Sequence, residues 1–104
     1  RGHAHGHDGR VSYRVEFSKS ASKELLRIPK KQRLMILAWI DDNLNGCDNP
    51  RSVHGGKQLQ GTDCGWRWRV GSYRVLGQIK DDVLEIKVVR VGHRQGVYNN
   101  IPKM

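Results

Sequence analysis

The spacing of apolar positions changes twice along the chain. In residues 11–17, Tyr13, Val15 and Phe17 alternate with Ser12, Arg14 and Glu16, the period of a half-buried strand. The spacing then lengthens. Ala21, Leu25 and Leu26 supply the stripe of a short helix, and Ser18 or Ser20 offers the oxygen that caps its first turn. Pro29 ends that helix near Ile28 and suits the first turn of a second one. The second helix is predicted over residues 29–44. Ile36, Leu37, Ile40 and Leu44 share its apolar face, while Lys30, Lys31, Gln32 and Arg33 keep its start in water. Asn45 and Gly46 stop it, and residues 47–58 read as a loop rich in Gly, Asn, Pro and charge.

From Leu59 the period returns to two. Trp66, Trp68 and Val70 point one way and Arg67 and Arg69 the other. Gly71 and Ser72 mark a tight hairpin, after which Tyr73, Val75 and Ile79 continue a strand with Arg74 on its opposite face. Asp81 and Asp82 turn the chain again, and residues 83–91, rich in branched side chains, form a third consecutive strand. Residues 92–104 are short and polar, and Pro102 argues against a long terminal helix.

The order strand, helix, helix, strand, strand, strand predicts an α+β domain. The last three strands form an antiparallel meander, and the helical hairpin must cover one sheet face to bury its stripe. The Trp66 and Trp68 side then becomes the core. Arg67 and Arg69 are left on the open face, with Arg74 beside them across the hairpin.

With 104 residues there is room for one domain, expected over residues 11–104. Residues 1–10 contain only polar residues, Gly, His and one Ala; His3, His5 and His7 alternate, which suits loose binding of a divalent metal, but a disordered or expression-derived tail explains them better. No apolar run approaches the roughly 20 residues of a membrane span, and the first ten residues carry no secretory signal pattern. Cys47 and Cys64 lack the spacing of a zinc site and read as reduced thiols of a cytoplasmic protein, with a single disulfide as the other option.

Charge sharpens the picture. A formal net charge of +9 attracts polyanions, nucleic acid foremost, although an acidic protein, the ribosome or a membrane surface also suits it. Three arginines on one open face repel one another unless an anion is shared among them, and the guanidinium fork matches phosphate. The plain alternative is a set of solvated arginines.

The run Leu59, Gln60, Gly61; then Trp66 to Gly71, WRWRVG; then Tyr73, Arg74, Val75; then Val91, Gly92, His93, Arg94, with Val97 and Tyr98, resembles the RelE/ParE toxin superfamily. In that family a leucine-x-glycine loop precedes a strand with alternating basic residues. A glycine-x-tyrosine-arginine turn follows, and a glycine-x-arginine segment ends shortly before a tyrosine. The front half, with SKSASKELLRIPK as a helix ending in a basic, proline-containing joint, agrees. The resemblance covers about residues 12 to 98 and rests on the order and spacing of motifs that are individually weak.

The resemblance implies a RelE-like microbial ribonuclease fold and the toxin of a type II toxin–antitoxin system. It further implies a ribosome-dependent endoribonuclease that cuts messenger RNA in the A site by attack of a 2′-hydroxyl, without metal or other cofactor. The family's basic strand positions fall on Arg67 and Arg69, its turn arginine on Arg74, its late arginine on Arg94 and its C-terminal tyrosine on Tyr98. Lysine commonly fills the two strand positions in the RelE type, one of them as a proposed general base. A guanidinium stays protonated, so Arg69 suits a phosphate clamp better than a proton acceptor. His93, beside Arg94, is the candidate to fill that gap or else a plain turn residue. Lys57, His54 and Arg90 are expected as peripheral RNA contacts. A RelB-like antitoxin is the implied protein partner, with operator DNA reached only through it, and no membrane is involved. The rival reading is a ParE-like toxin that poisons gyrase without cutting RNA; a third is an inactive member that only binds antitoxin.

Overall fold

The computed structural model describes residues 11–98; the tail expected over residues 1–10, and residues 99–104 with Pro102, lie outside the described residues. Strand β1 (Arg14–Phe17) leads into helices α1 (Lys19–Arg27) and α2 (Lys30–Asn43), followed by a 3-10 turn at Pro50–Ser52 and strands β2 (Gly56–Gln58), β3 (Gly65–Val70), β4 (Tyr73–Lys80) and β5 (Glu85–His93). The five strands form one sheet in the order β1-β5-β4-β3-β2.

Ser18 caps α1: its hydroxyl oxygen accepts the Ala21 N–H at 3.0 Å, which satisfies one of the donors the first turn leaves over. Ile28 ends the helix in extended geometry, the conformation that a following proline enforces. Pro29 takes the N-cap of α2 rather than its first turn, so the helix begins one residue later than expected. The stripe of α1 is Ala21, Leu25 and Ile28; Leu26, expected in it, is 73% exposed. One residue advances a helix by about 100°, so Leu26 cannot share the face of Leu25 and Ile28. On α2, Ile36, Ile40 and Leu44 are buried and Leu37 half-buried, as the spacing implied.

The meander is present, with β3, β4 and β5 antiparallel. Its third strand runs Glu85–His93, two residues later than expected, because Leu84 turns at φ 51 and Val83 stays 53% exposed. The loop expected over residues 47–58 also ends in a strand, so the sheet has five strands and not four. β2 pairs with β3 in the register Gly56–Trp68, Lys57–Arg67 and Gln58–Trp66. β1 pairs parallel with β5 at the far edge.

Both helices contribute to the main core on one sheet face. There Tyr13, Ala21, Leu25, Ile36 and Ile40 meet Trp68, Val70, Val75, Ile79, Ile86, Val88 and Val91. Trp68 is fully buried, its indole N–H donating to the Pro50 carbonyl at 3.1 Å. Below this core Asp81 accepts from the Tyr13 hydroxyl and from both terminal nitrogens of Arg51, at 3.1 and 2.9 Å. The Arg51 guanidinium, then the Tyr13 hydroxyl, hold the Asp81 carboxyl below its usual range. Cys47 and Cys64 are free thiols, and burial pushes Cys47 up to about 11.

Candidate functional site

Strand alternation sorts the basic residues. Trp66, Trp68 and Val70 pack on the core, so Arg67 and Arg69 emerge on the face the helices leave open. Directly paired residues share a face, which places Lys57 beside Arg67 and Arg74 beside Arg69. Four cations thus lie in two cross-strand pairs. None has a carboxylate partner among the described residues.

Two tight turns hold these side chains. Gly55, at φ 89, brings its carbonyl against β3, where it accepts both the Arg69 N–H at 3.1 Å and the Arg67 guanidinium at 2.9 Å. A Cβ on Gly55 would lie 3.4 Å from the Arg69 carbonyl oxygen, and the left-handed φ itself strains any L side chain. Gly71, at φ 61, is the first central residue of the two-residue β3–β4 turn, the place where hairpins need positive φ. Arg74 folds back on that turn: one guanidinium nitrogen donates to the Gly71 and Tyr73 carbonyls at 3.1 and 2.9 Å. Arg94 is tied to the same turn through its own N–H, which donates to the Ser72 carbonyl at 2.9 Å. Arg69 and Arg94 are exposed, Arg67 and Arg74 half-buried.

The face is only partly open. Leu76, between Arg74 and Gln78 on β4, is fully buried there by Leu59 and Val97, with Val89 packed alongside. A β-bulge at Leu76/Gly77 shifts the register of β5, which lets Val88 and Val91 both reach the core while Val89 reaches this second cluster. The chain beyond β5 turns back, with the Gly96 and Val97 N–H groups both donating to the His93 carbonyl at 3.0 Å. Tyr98 follows, 40% exposed.

His93 and His54 are not brought to this face, and Arg90, which pairs with Leu76 and so belongs to it, is taken up by a carboxylate. His93 pairs with Tyr73, whose ring packs on the main core, so it stands on the helix side; the two rings meet edge-to-face at 5.8 Å. Strand parity is the reason, since only alternate residues of β5 reach the open face. Arg90 is held by Glu24 of α1, Nε to Oε2 at 2.8 Å, while the other Glu24 oxygen accepts the Val91 N–H at 2.9 Å. β1 ends before this part of β5, so α1 supplies the acceptor there and engages Arg90 with it. His54 is exposed on the turn ahead of β2.

The supporting residues Leu59, Leu76 and Val97 had no assigned role in the sequence reading. A signal existed for Leu76: it is apolar at the parity of Arg74, where an open face should be polar. Among the described residues, no group of three or more His, Cys, Asp and Glu stands together to hold a metal ion, and no helix is long and apolar enough to cross a membrane.

This architecture is shared. The chain is similar to a protein of the toxin–antitoxin complex RelBE2 from Mycobacterium tuberculosis, at 26% identity, with 81% of this chain and 100% of that one covered and a TM-score of 0.69. It is similar to a chain of the archaeal RelE–RelB complex from Pyrococcus horikoshii, at 28% identity over 83% and 99% of the two chains, TM-score 0.66. A chain of the RelB–RelE antitoxin–toxin complex from Methanococcus jannaschii matches at 27% identity over 83% and 98%, TM-score 0.56. No curated protein sequence matches significantly. Residues 15–98 match the family described as ParE toxin of type II toxin–antitoxin system, parDE. The helical hairpin, the five-stranded sheet and the family match over nearly all the described residues agree: the chain belongs to the ParE toxin family, within the RelE/ParE superfamily, and is a toxin of a type II toxin–antitoxin system.

Proposed function

We propose that this toxin is an endoribonuclease that cuts messenger RNA on the ribosome. The observation that carries the reading is the group of four cations, Lys57, Arg67, Arg69 and Arg74, on one sheet face with no carboxylate partner among the described residues. Like charges held together in this way favour a shared anion, and the guanidinium fork fits phosphate oxygens.

The chemistry is transesterification. The 2′-oxygen attacks the adjacent phosphorus and loses its proton; the bond from phosphorus to the 5′-oxygen breaks and that oxygen gains one. The products are a 2′,3′-cyclic phosphate and a free 5′-hydroxyl. Arg69 and Arg74 clamp the phosphate and stabilise the charge that builds at phosphorus. Arg67 and Arg94 add positive potential, Arg94 toward the departing 5′-oxygen. Tyr98 stacks on or orients a base. Lys57 and His54 contact the RNA at the rim. No arginine is a proton acceptor, so alignment by the ribosome must supply much of the rate.

The protein partner is a RelB-type antitoxin that covers the helices and the basic face, folding as it binds, and operator DNA is reached through it. The complex acts in the cytoplasm, where ribosomes are. The match to the parDE family favours a second reading, a toxin that inhibits gyrase without cutting RNA.

Added to a translation extract, the protein should produce cuts at A-site codons, mapped by primer extension, that vanish when initiation is blocked. Intact messages together with inhibited gyrase supercoiling would overturn the nuclease reading in favour of the second.

A further inference from the structure

Val97 has the burial of a core residue in a place where its neighbours have none. It is 1% exposed, whereas Arg94, Gln95, Gly96 and Tyr98 around it are all exposed. Its partners are not in the main core. They are Leu59 and Leu76, on the same face as the arginines, with Val89 alongside.

The socket is shaped for it. At Gly92, a Cβ would stand 3.4 Å from the Val97 Cγ2 and 3.5 Å from its Cβ, so a methyl there would just touch and a larger side chain would displace Val97. The φ of Gly92 is not in the left-handed region, so room rather than backbone freedom explains the glycine. The opposite wall is fixed by polar bonds. Leu59 donates its N–H to the Gly65 carbonyl at 3.0 Å, and its carbonyl accepts the Thr62 hydroxyl at 2.8 Å.

Otherwise, among the described residues, four hydrogen bonds tie residues 94–98 to the sheet: the Arg94 N–H to the Ser72 carbonyl, the Gly96 and Val97 N–H groups to the His93 carbonyl, and the Gln95 N–H to His93 Nδ1 at 3.4 Å. An exposed turn held by so few bonds opens readily. We propose that Val97 is a positioning residue: seated between Leu59 and Leu76 over Gly92, it holds Arg94 and Tyr98 at the rim of the basic face. Being buried, it acts only through those neighbours. The inference rests on the nuclease reading for its activity readout but not for its structural one.

The test uses the full chain with Val97→Ala and Val97→Ile, and Leu59→Ala as an approach from the other wall. Trypsin reports the structure, because the bond after Arg94 lies in a turn and must open to an extended conformation before it can be cut. Val97→Ala and Leu59→Ala should be cut there at least about tenfold faster than the unsubstituted protein, and Val97→Ile at close to its rate. Cleavage of translated message should fall about ten- to a hundredfold for Val97→Ala, mainly in kcat, since misplaced groups lose alignment rather than attraction. Val97→Ile should recover it, and the thermal midpoint should move only a few degrees because the main core is untouched. Unchanged trypsin cutting overturns the seating, and faster cutting with unchanged kcat overturns the positioning role. If the unsubstituted protein cuts no message, the nuclease reading falls by itself. Growth arrest then replaces kcat, and a Val97→Ala protein both cut faster by trypsin and fully toxic overturns the inference.

Discussion

Replacement of Arg74 by alanine separates the fold from the chemistry. Arg74 stands directly opposite Arg69 across the β3–β4 hairpin, where side-chain origins are roughly 5 Å apart. Two guanidinium groups about 7 Å apart in water repel by roughly 0.6 kcal/mol, which the substitution relieves. Against this, two hydrogen bonds to the Gly71 and Tyr73 carbonyls are lost. Each contributes on the order of 1 kcal/mol net, and less where water can replace it. The balance is a destabilisation of about 1 kcal/mol or less, a fall in thermal midpoint of no more than about 8 °C for a domain of this size. The effect on rate should be far larger. A preorganised donor aimed at the charge on phosphorus is worth on the order of 3 kcal/mol, or roughly a hundredfold. The assay is message cleavage in a translation extract alongside a thermal melt, with sulfate titrated into both proteins. Sulfate should raise the midpoint of the unsubstituted protein more than that of the variant, because the anion relieves a repulsion only the former has. A folded variant that cuts and arrests growth as the unsubstituted toxin does would refute the phosphate role. An unfolded one would refute the placement of Arg74 on the open face.

Glu24→Ala removes the acceptor of both the Val91 N–H and the Arg90 guanidinium, and chemical denaturation should show a loss of about 2 kcal/mol; a loss below about 0.5 kcal/mol would mean water replaces it freely. Gly56→Ala puts a Cβ 2.7 Å from the Trp66 indole nitrogen and 2.9 Å from Trp68, so it should lower the melting midpoint and the soluble yield, and an unchanged midpoint would show that β2 can move away. Asp81→Asn tests pH linkage. The folded Asp81 carboxyl sits below its unfolded value, so its contribution is present above about pH 4 and lost as pH falls through the folded value. The variant should therefore melt lower than the unsubstituted protein at pH 7, by well under 1 kcal/mol for so exposed a pair, and the gap should close in acid; a gap that widens in acid would refute the sign.

The elements that were legible in the sequence are those whose own residues carry the period. The Ser18 cap, the Ile36, Ile40 and Leu44 stripe and the alternation of Trp66 to Val70 each reflect a local geometry, so the helical hairpin, the meander and the arginine face could be read directly. The errors lie where a partner overrides the local pattern. Leu26 is apolar yet faces water, because helix phase is set by Leu25 and Ile28 together. β2 is three residues, Gly56, Lys57 and Gln58, with no apolar alternation; its strand geometry comes from backbone bonds to β3.

The sequence by itself determined the fold class and the common face of Arg67 and Arg69, since period two sends both to one side whatever their neighbours do. Where β1 lies in the sheet, which face His93 takes, and what Arg90 binds are relations between segments far apart in the chain. The parallel pairing of β1 with β5 and the bulge at Leu76/Gly77 fix the first two. The reach of Glu24 from α1 to the uncovered edge of β5 fixes the third. Burial against a distant partner leaves no periodic trace in either segment, which is why only the folded chain shows Val97 closing over Leu59 and Leu76 beside the arginines.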